Sequence, residues 1–591
     1  MNLSKGQQAI MKTNGHLLVT GGPGSGKTTI SILKAEQIAR QYLKAGQKIL
    51  FLSFARATVF RVLEAIEHEQ KVPTAQKRLI DVETYHAFFW RILKTHGYLA
   101  GLPRRLNILA PPMEAVALSE VRSSQKGTPI KDIEVEEQVR LAKDEGRVCF
   151  DLFASYVSEI LHGSERIRSL VAAMYPVIIF DEFQDTNKAQ WSIIQALGQF
   201  CRLIVLADPE QRIYDWLGAD PARLNQFRAV FAPEEVDLST DNHRSTGTEI
   251  TKFGNDILTG ISHQNSYNGV KIDYFEPNHN RAMTKLVTVI YAARSRLIQQ
   301  NVNSWSLAVL VPTKKMTRMV SEFLRNPLAG LTAIPHSAII EMEGVILAAE
   351  IVAFLMQSNL NTNHHELFIN LVCNYFRGKN GGEQPTQVAL KTAKSYAEQH
   401  KQLREGTAIR NNSILMKTIA VFQQTQQYKR TGNPDHDWLA ILQILEGSAC
   451  AQLKEIAKDA RNVRLLGRGT VLRQEFTQDW RDNGGYHNSL VIMRQMFIQE
   501  HFSASTKPES GVIVMNMHKA KGKQFDEVII FEGWPRRKNG QIVYNGDRIV
   551  RSNVRDQIND QARQNLRVSV TRSKLHTTIL TPRCDPCILL P

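Results

Sequence analysis

Short apolar runs alternate with stretches of helical spacing along the first 85 or so residues. His16-Leu17-Leu18-Val19-Thr20 and Gln47 to Phe54 read as buried strands, and Ile30 to Ala35 and Ala55 to Glu67 as the helices that follow them. This alternation predicts a parallel sheet whose functional loops leave its carboxyl edge. The pattern breaks near residue 90. From there to about 165 the chain carries Pro103, Pro111, Pro112 and Pro129 and the highly charged stretch Lys131 to Arg147, little of which reads as sheet. Strands resume at Val177-Ile178-Ile179-Phe180, at Arg202 to Ala207 and at Val236 to Ser239. A second region of the same kind opens with Trp305 to Val311 and the helix Lys314 to Leu324, and closes with strands at Gly511 to Met515 and Glu527 to Phe531. Between them lie a long amphipathic helix, Glu341 to Met356, and a stretch from about 357 to 507 without strand signals. That stretch is rich in Gln, Asn, Lys and Arg, with helical spacing at Leu439 to Leu445 and Leu453 to Ala460. The expectation is an α/β protein with two parallel-sheet domains, each carrying a mainly helical insertion.

Length and composition sharpen this picture in three ways. A chain of 591 residues exceeds what one core supports, so several compact units are expected. The 73 Lys and Arg outnumber the 57 Asp and Glu, and a net charge of +16 favours a polyanionic partner. Met1 to Gln7 lacks the apolar core of a signal peptide, and the longest apolar stretch, Val345 to Met356, is interrupted by Glu350 and too short for a bilayer. A cytoplasmic protein without membrane contact is expected. Of the six cysteines only Cys584-Asp585-Pro586-Cys587 has metal-like spacing, and without a second pair it reads as a reduced tail.

The chemistry is concentrated where strands end. Gly21-Gly22-Pro23-Gly24-Ser25-Gly26-Lys27-Thr28-Thr29 stands between a strand and a helix. Its glycines allow a backbone tight enough to turn N–H groups inward, and the helix adds the positive end of its dipole, so the loop suits a triphosphate. Lys27 would reach the β and γ phosphates and the Thr28 hydroxyl would bind Mg²⁺. Asp181-Glu182 closes the strand Val177 to Phe180 as the second half of such a site, Asp181 on Mg²⁺ and Glu182 polarising the attacking water.

Taken together the motifs resemble, in family order, those of the superfamily 1A DNA helicases of the UvrD/Rep/PcrA kind. Leu3-Ser4-Lys5-Gly6-Gln7 resembles the Q motif, and the phosphate loop and Asp181-Glu182-Phe183-Gln184-Asp185 follow. Asp208 to Trp216 resembles motif III and Asn242-His243-Arg244-Ser245 motif IV. Met517 to Phe525 resembles motif V, and Val570-Thr571-Arg572-Ser573-Lys574 motif VI.

The resemblance implies two RecA-like domains around one ATP cleft, residues 1–89 with 165–245 and residues 246–356 with 508–591. The inserts would be residues 90–164 and 357–507. It implies arginine fingers at Arg244 and Arg572, a γ-phosphate sensor at Gln211 and adenine reading by Gln7, with His243, Gly522 and Gln524 also on the nucleotide. Phe54, Tyr214, Trp216 and Trp534 would stack on bases, while Thr84, His86, His518 and Lys519 would meet phosphates or sugars. The chain departs from the family in carrying His243 where tyrosine is usual, Gln524 where glutamate is usual, and Leu217 where a basic residue follows the aromatic. The implied activity is ATP- and Mg²⁺-dependent unwinding of tailed duplex DNA by 3′-to-5′ movement on single strands. Two other readings stand beside it. One is a translocase that strips proteins from DNA without unwinding; the other is the helicase subunit of an anti-phage complex such as Gabija, with a separate nuclease. A role in DNA repair suits the same motifs.

Overall fold

The computed structural model describes residues 3–54, 56–68, 77–124, 130–211, 220–239, 247–300, 304–339, 342–463, 471–502, 509–538, 541–543, 545–550, 558 and 560–590. It divides into two compact units. The first comprises Met1–Arg91, Val157–Ile340 and Ala504–Pro591, and the second Ile92–Tyr156 and Glu341–Ser503.

The first unit is built on two six-stranded sheets with every pairing parallel. Across the first sheet the order is Ile80–Thr84, Ile49–Ser53, Val177–Phe180, Arg202–Ala207, Leu17–Thr20 and Glu234–Asp237. Across the second it is His336–Ile339, Gly511–Asn516, Ser306–Val311, Phe525–Phe531, Ser573–Pro582 and Val270–Phe275. Their central strands are continuous apolar runs because helices cover both faces: Leu17, Leu18 and Val19 are all at 0% exposure. The mixed α/β architecture with two parallel sheets is the one the hydrophobic pattern predicts.

Register sets the level at which the loops emerge. Thr20 lies beside Ala207, and Phe180 beside both Val205 and Leu52. The segments that follow these strands, starting at Gly21, Asp181 and Asp208, therefore begin side by side along one carboxyl edge.

The second unit is mainly helical around a single hydrophobic core. Two points differ from the sequence reading. Helix Glu343–Met356 is not amphipathic but buried nearly all round, because it runs through the centre of this core. Its one interior charge, Glu350, is met by Arg494 at 2.7 Å. Residues 90–164 also contain sheet: the short strands Asn107–Leu109 and Arg147–Cys149 pair in parallel. Three-residue strands are too short for periodicity to reveal.

Segments 92–156 and 341–503 share the core. Met113 and Val116 pack onto it, and a Cβ on Gly378 would meet Val116 Cγ2 at 2.7 Å and Leu347 Cδ1 at 2.8 Å. Arg122 joins the segments again, donating Nη1 to Gly381 O at 2.9 Å while its Nε binds Glu134 at 3.0 Å. Among the described residues, no helix is long and apolar enough to cross a membrane.

Candidate nucleotide site and nucleic-acid contacts

The phosphate loop takes its shape from left-handed backbone at Gly24 and Gly26, both at φ 81. Gly21 is needed for a different reason, since a Cβ there would lie 2.7 Å from Ser25 Oγ. Lys27 folds over the loop, its Nζ donating to Gly22 O at 3.0 Å and to Gly21 O. Helix Lys27–Gln41 starts at Gly26 without a side-chain cap, so its first N–H groups are not taken by a capping side chain. Ser25 and Pro23 are buried under the loop, Gly22 and Thr28 are half-buried, and Thr29 faces outward.

Beside the loop, Asp181 is buried and within 3.4 Å of Ser53 Oγ. Glu182 adopts left-handed backbone at φ 55, a conformation that costs a residue with a Cβ about 1–2 kcal/mol. Gln184 fastens it, donating Nε2 to Glu182 Oε2 at 2.6 Å while its Oε1 accepts from Asp208 N at 3.0 Å. Burial alone would raise the Glu182 pKa; the charges of Lys521, Lys27 and Arg572 outweigh it and hold the carboxyl below its ordinary value. Glu182 is thus a carboxylate at neutral pH.

Two of those three cations come from the second sheet. Lys521 in the motif V loop forms an ion pair with Asp185 Oδ2 at 2.5 Å, with exposures of 4% and 1%. Arg572 is buried, donates Nε to Val568 O at 2.9 Å, and acts electrostatically on Glu182. A third basic side chain, Arg567 on helix Asp560–Val570, reaches Glu210 at 2.8 Å. Neither Lys521 nor Arg567 was singled out from the sequence. Lys521 could have been noted for its place within the motif V stretch, but Arg567 carries no local signal.

The remaining predicted residues fall into distinct settings. Gln7 closes the capping box of helix Lys5–Lys12: its Oε1 accepts from Ser4 N at 3.1 Å, a bond that orients the amide and leaves the second lone pair of Oε1 for another donor. Gly522 has positive φ and Gln524 is half-buried just before Phe525–Phe531. Gln211 closes a short 3-10 turn, and its side chain lies outside the described residues, as do Tyr214, Trp216, His243 and Arg244.

Phe54 stacks on Tyr85 with ring centroids 4.4 Å apart. Tyr85 is buried, and burial with the charges of Asp181, Asp185 and Glu182 raises its hydroxyl well above the usual pKa. Thr84 caps the helix that follows it, its Oγ1 accepting from Ala87 N at 3.2 Å, and His86 is half-buried in the first turn. His518 and Lys519 sit on a 3-10 turn that Asn516 caps through His518 N. Trp534 lies beyond the carboxyl end of Phe525–Phe531, packed edge-on against Phe275 and His279. It lines a cleft of about 90 Å³ with Lys315, Met316 and Arg536. Among the described residues no cluster of three or more His, Cys, Asp or Glu could hold a metal; Cys587 is buried and Cys584 exposed.

A glycine-rich loop and an acidic strand end thus share one carboxyl edge, with basic side chains arriving from a second parallel sheet, an arrangement suited to a P-loop nucleotide site. Residues 3–146 and 131–232 match the UvrD/REP helicase N-terminal domain. The ATP-dependent DNA helicase PcrA of Staphylococcus aureus (strain Mu50) is 24% identical over 360 residues, covering 53% of this chain and 48% of the relative. PcrA of Staphylococcus epidermidis is 24% identical over 365 residues, covering 54% and 49%. The amino-terminal part of the chain is thus similar to UvrD/REP helicases, and the chain spans about half the length of the curated relatives it matches. A solved structure of Mss116p bound to ssRNA and AMP-PNP aligns over 98% of this chain and 69% of its own, at a TM-score of 0.35 and 8% identity, a likeness too slight to bear on function.

Proposed function

We propose that this chain is an ATP-dependent DNA helicase that moves 3′ to 5′ along single strands and displaces the complement. The observation that carries the reading is the buried Lys521–Asp185 pair, which brings a cation of the second sheet into the acidic motif of the first. A nucleotide turned over there is exposed to both sheets, so its hydrolysis is coupled to their relative position.

Hydroxyl and carboxylate oxygens are the donors Mg²⁺ prefers, and Thr28 and Asp181 fit that ion with the phosphates as further ligands. The metal would neutralise charge developing on the phosphates. Lys27 binds the β and γ phosphates, and Glu182, ionised and pinned by Gln184, orients the attacking water. Arg572, with Arg244 by family resemblance, stabilises the charge that develops in transfer, and Gln211 senses the γ phosphate. Gln7, His243, Gly522 and Gln524 hold the nucleoside. Bases stack on Phe54, Tyr214, Trp216 and Trp534, and Thr84, His86, His518 and Lys519 track the backbone.

A strand-displacement assay on duplexes with 3′ or 5′ tails tests this, with Lys27→Ala as control. Opening of the 3′-tailed duplex alone, dependent on ATP and lost in the variant, is the expected result. Opening from the 5′ tail alone overturns the polarity, and DNA-stimulated hydrolysis without opening assigns the chain to translocases that strip proteins from DNA.

A further inference from the structure

We propose that Arg567 is an additional phosphate-binding arginine of the nucleotide site, and that Glu210 competes with the nucleotide for it. The inference deepens the ATP-site reading above and rests on it.

Arg567 is 1% exposed, yet among the described residues its Nη1 donates to no acceptor. Burial of a guanidinium with an unused donor is costly unless an anion comes to it. The rest of the group is oriented: Nε donates to Asn255 Oδ1 at 3.2 Å, Nη2 to Glu210 Oε2 at 2.8 Å, and Asp208 Oδ1 stands 3.9 Å from Nη1. What the group faces is the phosphate loop. A Cβ on Gly22 would lie 4.0 Å from Arg567 Nη2, and Gly22 O on the same residue accepts from Lys27 Nζ at 3.0 Å. Gly22 is therefore bracketed by two cations, the loop's own lysine and an arginine from the other sheet. The approach depends on Gly254, where a Cβ would fall 3.0 Å from Thr571 Cγ2 and 3.4 Å from Arg567 Cγ.

Glu210 differs from its partner in being 55% exposed, so its carboxylate is screened by water and holds the arginine less firmly than a buried one would. A triphosphate carries more charge and can accept a bidentate guanidinium contact, so it displaces the carboxylate. Two roles for the Arg567–Glu210 pair then make opposite predictions. If the pair is only a strut between the sheets, removing either partner weakens nucleotide binding alike. If Glu210 competes, the two substitutions have opposite signs.

The test is a titration of the full chain with a fluorescent non-hydrolysable ATP analogue and Mg²⁺, with ADP and AMP as competitors. Arg567→Ala is expected to weaken triphosphate binding by about tenfold or more, the loss shrinking through ADP to AMP; Arg567→Lys should fall between. Glu210→Gln should tighten it by roughly threefold, the reverse of the arginine variants. Retained AMP binding shows that a variant is folded. Unchanged triphosphate binding in Arg567→Ala, or equal weakening in Arg567→Ala and Glu210→Gln, overturns the inference while leaving the ATP site intact. Binding that Lys27→Ala does not weaken overturns the ATP-site reading, and the inference with it.

Discussion

A buried ion pair is held less by the attraction between its members than by the cost of parting them, and Lys521–Asp185 is such a pair. Lys521→Met removes the buried ion-pair partner of Asp185 and should cost about 3–5 kcal/mol, read as a fall in thermal midpoint, much of it recovered in the Lys521→Met/Asp185→Asn double variant. The same substitution removes a charge that holds Glu182 below its ordinary pKa. Because that lowered value keeps the carboxylate ionised into acid, its rise should move the acid limb of the pH–hydrolysis profile to higher pH. An unmoved limb would show that Lys521 acts on stability alone. The phosphate loop and Asp181-Glu182 were legible in the sequence because their chemistry is spelled by neighbouring residues on one strand end. Lys521 and Arg567 were not, since each acquires its role from a partner 336 or 357 residues away.

At the scale of elements, strands and helices with strong apolar patterns were legible, and short or mixed ones were not. Val270–Phe275 alternates Val, Lys, Ile and Asp at the sheet edge, and His336–Ile339 is only four residues long. Helix Glu343–Met356 was found, but its surroundings were misjudged, because one glutamate within an apolar run resembles a solvent face until its partner is known. A second, half-buried glutamate makes a pH prediction for the helical unit. Burial, with the charge of Asp151 adding to it, pushes Glu114 up to about 7 despite a 2.6 Å hydrogen bond from Gln138. A carboxyl raised in the folded state favours folding most below its unfolded value near 4.5, and that contribution is lost as pH climbs through about 7. Denaturant titrations should show stability falling by roughly 3 kcal/mol across this interval, and Glu114→Gln should flatten the fall. A wild-type curve already flat from pH 4.5 to 8 would contradict the assignment.

In the whole molecule, the two proposed tasks of the second sheet fall at opposite ends of one strand. Arg572 O accepts from Phe525 N at the amino end of Phe525–Phe531, whereas Trp534 lies past its carboxyl end, about 20 Å away at 3.3 Å per residue. Trp534→Ala should weaken single-stranded DNA binding by about 1–3 kcal/mol, measured with a fluorescent oligonucleotide. A comparable loss of nucleotide affinity would instead place Trp534 in the ATP site.

The helical unit draws one length of chain from beside each sheet, and Gly378 marks where the two lengths touch without room for a methyl group. It is thus one packed body rather than two independent inserts. Neither insert can be trimmed or exchanged without stripping the other of its packing, so a graft from a relative would have to carry both pieces together.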